Sequence, residues 1–448
     1  MSSPDIPEQQ PLAHATAVIR RGKLWLVPSI MCAFVALFLS LLYMGGVVSP
    51  DRDLHRLPIA LVDLDQGPPL PGQQQTLGAQ AAQVAISADP SSAVQWRQLD
   101  EAQMQNQLAS GMIYGALVIP ARFTSSVAEL TTTGAATRPT LLILTNPSLG
   151  SLGSSLAKQI TQDTAHQVSL AVGRQLTAQA AAHGADAASQ LLLTDPVAVS
   201  TQVGHPIGAH SGLGLTAFYY TLLLVLTGFV GANIISNGVD TGLGYTANEL
   251  GPWHKLHPTV PISRAQTLLV KMLMTAGMTV LTTSLLMIAT IGILGMDASH
   301  LPLLWVFSYC ATLAVGLGAQ AINAAFGGIG QVVSTFVFIA LALPSSGATI
   351  PLQAVPGFYR FLSVFEPMRQ LSAGVRAIVY FDARADAGLT RGWLMIGVGL
   401  ALALLFGFGM TRFYDRRGLH RLNVNPGGAT RANSRAQVSA HPTHRKEA

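Results

Sequence analysis

Charge is scarce in this chain: Asp, Glu, Lys and Arg together make up 10% of its 448 residues, where ordinary soluble domains carry about 25%. With half of the chain apolar, that scarcity excludes a disordered protein, a nucleic-acid binder with a basic surface, and a wholly soluble enzyme. Cysteine is nearly missing as well. Cys32 and Cys310 both fall inside apolar runs, so no disulfide framework is available to an exported part. No G-x-x-x-x-G-K-[ST], H-E-x-x-H or G-x-S-x-G pattern occurs, which removes P-loop nucleotide binding and two hydrolase signatures. A membrane protein remains, its net charge of +5 belonging to loops and tails that face anionic lipid.

A helix needs about 20 mostly apolar residues to cross the hydrocarbon core. Leu24 to Val48 meets this without a charge and follows Arg20, Arg21 and Lys23. It is longer than the apolar part of a signal peptide and no A-x-A-like site follows, so it reads as an uncleaved span. Leu213 to Ser236 is a second run, and a third extends from Lys271, at its edge, to Met296. Leu301 to Ser346 carries no charge at all and is about twice the length one crossing needs, so it divides into two helices, with the turn at Phe326–Gln331. Trp393 to Thr411 closes the count at six.

Lys and Arg near span ends set orientation. The segment 412–448 carries net charge +6 and the flank 1–23 is also basic, so both termini read as cytoplasmic. Residues 49–212 then lie outside, with net charge −4. Arg360, Arg369, Arg376 and Arg384 pull the other way, since span parity places them outside too; parity is given the greater weight. The expected fold is an α-helical polytopic membrane protein with six transmembrane helices and an inserted exported α/β domain at 49–212. That domain shows strand candidates at Leu57–Val62, Met112–Pro120 and Thr140–Leu144, with polar helical stretches between them and a longer one at 150–192. Alternation of this kind predicts a partly parallel sheet. Within 213–411 lie a cytoplasmic loop at 237–264 and an outer amphipathic segment at 347–390. The tail 412–448, rich in Arg, Gly, Ser and His, has little to bury and reads as disordered.

From Gly357 to Phe381, Phe358, Phe361, Phe365, Met368, Leu371, Val375 and Ile378 recur at three- and four-residue steps, with Arg369 and Arg376 on other faces. This fits interfacial or re-entrant helices, with Pro356 and Pro367 marking helix starts; a helix packed on the exported domain is the alternative. The loop 237–264 combines Glu249, Trp253, Lys255 and Arg264 and is long enough for a helix, which makes it the candidate docking surface for a partner. A solvated connector with Trp253 resting in the membrane interface is the bland reading.

Chemistry is thin elsewhere. Ser155-Leu156-Ala157-Lys158 matches S-x-x-K without its companion motifs and reads as a solvated helix face. Asp51 and Asp53, or Asp63 and Asp65, could hold a hard cation, though a polar turn is the commoner use. His254 with His257, and His441 with His444, lack further ligands for zinc. No catalytic residue, metal site or cofactor is assigned. The central parts of the runs lack charge, leaving Asn233, Gln320, Asn323, Gln331 and Ser334 as polar positions, which argues against a proton relay. Small residues, as in Gly316-Leu317-Gly318-Ala319, suit close helix packing.

One span, a large exported domain and five further spans together resemble the ABC-2 type permeases, with the YhgE/Pip-like group as the nearest likeness. Leu57-Pro58-Ile59-Ala60-Leu61-Val62-Asp63-Leu64-Asp65-Gln66-Gly67 is similar to that group's P-[IV]-A-[VL]-V-[ND]-x-D-x-G. Gly115 to Phe123 is similar to A-L-x-I-P-x-x-F. Pro344-Ser345-Ser346-Gly347-Ala348-Thr349-Ile350-Pro351, with Pro356 and Arg376, resembles S-S-G-G-x-x-P … P … R. Asp63 stands where many relatives have Asn, and Ala348 replaces the second Gly. The resemblance implies the membrane-spanning subunit of an ATP-driven exporter in the cell membrane (a bacterial inner membrane or its equivalent). It would be a homodimer or heterodimer of permeases, energised by a separate ABC ATPase subunit and in contact with lipid but not nucleic acid. Coupling would run through the loop after the second span. The alternative is a receptor or secretion-system scaffold whose exported domain binds a partner without transport; a membrane enzyme ranks below both.

Overall fold

A computed structural model describes residues 22–46, 48–50, 52–70, 73–88, 92–132, 138–182, 193–250, 253–255, 257–419 and 421. The flank before residue 22 and the tail beyond 421 lie outside the described residues, but 412–416, read above as the start of a disordered tail, continue the last helix to Arg416. Helix α1 (Gly22–Gly45) carries Leu26, Ile30, Phe34, Leu37, Leu41 and Met44 as one exposed apolar stripe. Steps of three and four residues put them on a single face.

The domain that follows is a five-stranded mixed sheet in the order β2-β1-β3-β4-β5. β1 (Leu57–Asp63) pairs in parallel with both β2 (Val94–Gln98) and β3 (Gly115–Ile119). β4 (Thr140–Thr145) runs antiparallel to β3 and parallel to β5 (Ala198–Val203). β1 and β3 are buried almost end to end, because helices cover both sides of a central strand. Leu77–Ser87 (α2), Phe123–Thr132 (α4) and the long Ser151–Ala182 (α5) pack over one face around Leu61, Leu117 and Phe123. Glu101–Ala109 (α3), started by an Asp100–Gln103 capping box, closes the other through Met104 and Leu108.

Asp65 joins three of these pieces. One carboxylate oxygen accepts from the backbone N–H groups of Gly67 and Thr124, each at 3.1 Å. The other accepts from the Gly78 N–H at 3.0 Å and from the Thr124 hydroxyl. Gly78 and Thr124 are the second residues of α2 and α4, so one carboxylate caps two helix starts, where negative charge is favoured. A Cβ on Gly78 would lie 2.4 Å from that of Asp65; only glycine permits this approach. The Asp63–Gly67 stretch is therefore a polar turn. Burial raises the pKa of Asp63, partly offset by a bond from the Asp65 N–H. Asp65→Ala is expected to lower stability by ~3 kcal/mol and to make the domain protease-sensitive in the intact chain; unchanged resistance would refute the double-cap account.

Among the described residues, four apolar helical runs are long enough to cross a membrane by length and composition: Thr216–Gly242, Arg264–Ile293, Leu301–Ser345 and Ala385–Arg416. The protein is a membrane protein with an α/β domain. The third run is not one rod. Its first part, α8 (Leu301–Phe326), ends at Gly327, which has φ +62°. A Cβ on Gly318 would touch the Phe338 ring at 2.7 Å, whereas a continuous helix would separate those residues by about 30 Å. The chain therefore folds back into α9 (Gly330–Thr335), which continues through a π turn at Phe336–Ala340 to Ala342–Ser345. The other runs contain α6 (Thr216–Gly242), α7 (Arg264–Met287) and α12 (Thr390–Arg416). They pack with α8 around Leu224, Phe307, Val315 and Ile396.

Two shorter helices, α10 (Gly357–Phe365) and α11 (Pro367–Tyr380), lie between α9 and α12. Pro356 precedes the first and Pro367 opens the second, where a missing N–H costs least.

Candidate functional site

At one end of the bundle, α6 and α8 finish, and α7 and α9 begin. The polar residues gather there. Lys271 Nζ lies 2.9 Å from Asp240 Oδ1 and donates to Ser236 Oγ at 2.8 Å. Arg421 approaches the same carboxylate at 2.5 Å and covers the Tyr245 ring, 5.1 Å from its centroid. Lys271 is only 5% exposed. Around this group, Asn323 donates to Asn233 and Gln320 to the Ala232 carbonyl. Lys271 is thus not at a span edge: α7 begins at Arg264, two turns earlier, and carries the lysine into the bundle. Asp240 likewise belongs to α6, which runs past Asn237 to Gly242.

The loop between α6 and α7 is correspondingly shorter than 237–264, and it forms no helix among the described residues. It makes an antiparallel hairpin, β6 (Asn248–Leu250) with β7 (Trp253–Lys255), pairing Glu249 with His254 and Leu250 with Trp253. The side chains of Glu249, Trp253 and Lys255 lie outside the described set. Arg264 is half-buried. Its backbone N–H and that of Ala265 donate to the two Asp415 carboxylate oxygens at 3.1 Å, its Nε donates to the Leu419 carbonyl at 2.6 Å, and its guanidinium faces the Tyr414 ring. The residue ties α7 to the end of α12.

At the opposite end, α10 presents Phe358, Phe361, Val364 and Phe365 as an exposed apolar face and buries Tyr359, whose hydroxyl donates to the Leu42 carbonyl of α1 at 2.8 Å. Arg369 is half-buried and donates to Ser363 Oγ at 3.0 Å. Arg376 does not share a polar face: it is 9% exposed and donates to the Ala348 carbonyl at 2.7 Å. Burial lowers its pKa, while Tyr114 and Tyr380 act in the opposite sense. The Pro344–Pro351 stretch and Arg376 are therefore one structural joint. Between α10 and α11, Glu366 caps Met368 N–H at 2.9 Å and is 4% exposed; burial pushes its pKa up to about 8.

The chain matches, over residues 28–399, the family described as protein of unknown function (DUF3533). It belongs to that family. The match runs from α1 through the sheet domain into α12, so it takes in both ends of the bundle. No curated protein and no solved structure matches.

In this DUF3533 chain, Ser155 and Lys158 stand exposed on α5, and no group of three His, Cys, Asp or Glu residues is placed to hold a metal among the described residues. Asp51, His441 and His444 fall outside them. The Asp240–Lys271–Arg421 group is what sequence reading missed. The available signal was an acid closing one apolar run and a base opening the next, which antiparallel neighbours bring together.

Proposed function

We propose that this chain is the membrane-spanning subunit of an ABC-2 type exporter, energised by a separate ATPase subunit and working as a dimer of permeases. On this reading α1, α6, α7, α8, α9 and α12 are six spans, both termini are cytoplasmic, and the sheet domain with α10 and α11 lies on the outer side. The observation that carries the reading is the anchorage of the α6–α7 hairpin. Asp240, Lys271 and Arg421 lock its two flanking helices together, and Asp415 locks α7 to α12. A partner pressing on the hairpin would move three helix ends at once, as coupling to ATP hydrolysis requires. Export also agrees with the absence of nucleotide-binding motifs from the chain, since that chemistry would reside in the partner.

A second reading has its own support. β5 is an edge strand with Val199 and Val203 exposed, and such an edge can accept a partner's strand. A receptor or scaffold would use it without transport. Purification in mild detergent separates the readings. An ATPase is expected to accompany the protein, and Trp253→Ala with Glu249→Lys is expected to reduce its yield severalfold while membrane insertion persists. Full yield from the double variant would place docking elsewhere. Absence of any ATPase from the wild-type preparation would favour the scaffold.

A further inference from the structure

A cleft of about 520 Å³ opens beside the ion group at the bundle end, between α6, the Gly327–Gly328 turn and the start of α9. Asp240 is the only acid among the described residues lining it. That one carboxylate faces two cations, Lys271 and Arg421, so the group retains one positive charge. Lys271 is turned inward to Ser236, whereas Arg421 lines the cleft. Asn237, Thr246, Asn323 and Gln331 also line it, supplying amide and hydroxyl groups. An anion carrying hydroxyl groups fits this lining: the anionic oxygens beside Arg421, the hydroxyls among the polar side chains.

We propose that this cleft binds a phosphate bearing free hydroxyls, supplied by the phosphoglycerol headgroup of a membrane lipid. The position favours lipid over a soluble source. The cleft sits at the helix ends of an apolar bundle, where a membrane crossed by those helices would have its headgroups, and basic pockets between spans recruit anionic lipid at such positions. Its walls at Gly244, Gly327 and Gly328 carry no side chains, leaving room for a polar headgroup. The inference does not depend on transport.

The test uses the full chain in mild detergent and follows thermal unfolding with phosphatidylglycerol, phosphatidylcholine, glycerol 1-phosphate or inorganic phosphate added. Phosphatidylglycerol is expected to raise Tm above the phosphatidylcholine value by ~3 °C or more, because a ligand that binds only the folded state stabilises it. Arg421→Gln leaves the neutral Asp240–Lys271 pair intact and should abolish most of that difference; Arg421→Lys should keep much of it. Gly328→Leu is an independent check. Gly328 lines the cleft and a Cβ there meets nothing within 4 Å, so leucine can be accommodated at the cleft wall without altering charge, and it should also abolish the difference. Equal shifts from the two lipids, or a full shift in both Arg421→Gln and Gly328→Leu, would overturn the proposal. If glycerol 1-phosphate or inorganic phosphate alone reproduces the whole shift, the phosphate chemistry stands and the lipid source is rejected.

Discussion

Asp240→Ala is expected to destabilise the bundle by ~3–5 kcal/mol, because removing one member of a buried ion group strands the others. Lys271 would be left 5% exposed with only Ser236 Oγ as partner, and Arg421 would lose its carboxylate. The stronger check is the double variant. Asp240→Leu with Lys271→Met removes both buried charges, and Arg421, which is a quarter exposed, can turn to water. Apolar replacement of a buried pair is often neutral or stabilising, so thermal unfolding of the double variant should return close to the wild-type value. If Asp240→Ala unfolds with the wild type, the ion group is not what holds these helix ends.

Glu366→Gln should change the pH dependence of stability more than its value in acid. The folded-state pKa of Glu366 is raised from 4.5 to about 8, so the folded protein holds this proton more tightly than the unfolded chain. Stability from this group is fully present below pH 4.5 and is lost as pH rises towards 8. Glutamine cannot ionise and still offers an oxygen to the Met368 N–H. At pH 8 and above the variant is expected to be more stable than the wild type by about 4 kcal/mol, each pKa unit corresponding to 1.36 kcal/mol. Unfolding temperatures measured from pH 4.5 to 8.5 give the answer. Parallel curves for the two proteins would show that the carboxyl is solvated.

What the sequence made legible was whatever depends on one segment at a time. The strands at Leu57, Gly115 and Thr140 are apolar because both faces of the sheet are covered there. β2 and β5 escaped notice because edge strands need no such pattern: Val-Gln-Trp-Arg-Gln and Ala-Val-Ser-Thr-Gln-Val are largely polar. The reversal between α8 and α9 was readable from its glycines, since Gly327 adopts a backbone conformation that other residues avoid. Helix ends were misjudged wherever the first charge was taken as a boundary. Asp240 and Lys271 continue their helices because each neutralises the other, a fact about two distant segments that neither run displays. The hairpin at 248–255 was mistaken for helix-forming loop even though Gly251-Pro252 is a turn signal. Helical spacing sets Arg376 apart from the apolar face but does not show its burial, because the Ala348 carbonyl that receives it belongs to a different stretch of chain.

The sheet domain is held to the bundle at several separate points. His55 N–H donates to the Gln353 carbonyl at 2.8 Å, and Arg384 bonds Asn106 at 2.6 Å. His205 bonds the Tyr380 carbonyl at 2.8 Å, while the Tyr380 hydroxyl engages Thr216 and Ala217 at the head of α6. A Cβ on Gly214 would come within 2.1 Å of the Pro147 carbonyl oxygen, so backbone meets backbone there. A body fastened at one point can swivel, and one fastened at two can rock. Three or more non-collinear fixings remove both freedoms. Any tilt of α11 against α6 must then displace the whole sheet or break a fixing, which makes the domain a pointer whose attitude registers the state of the helices beneath it.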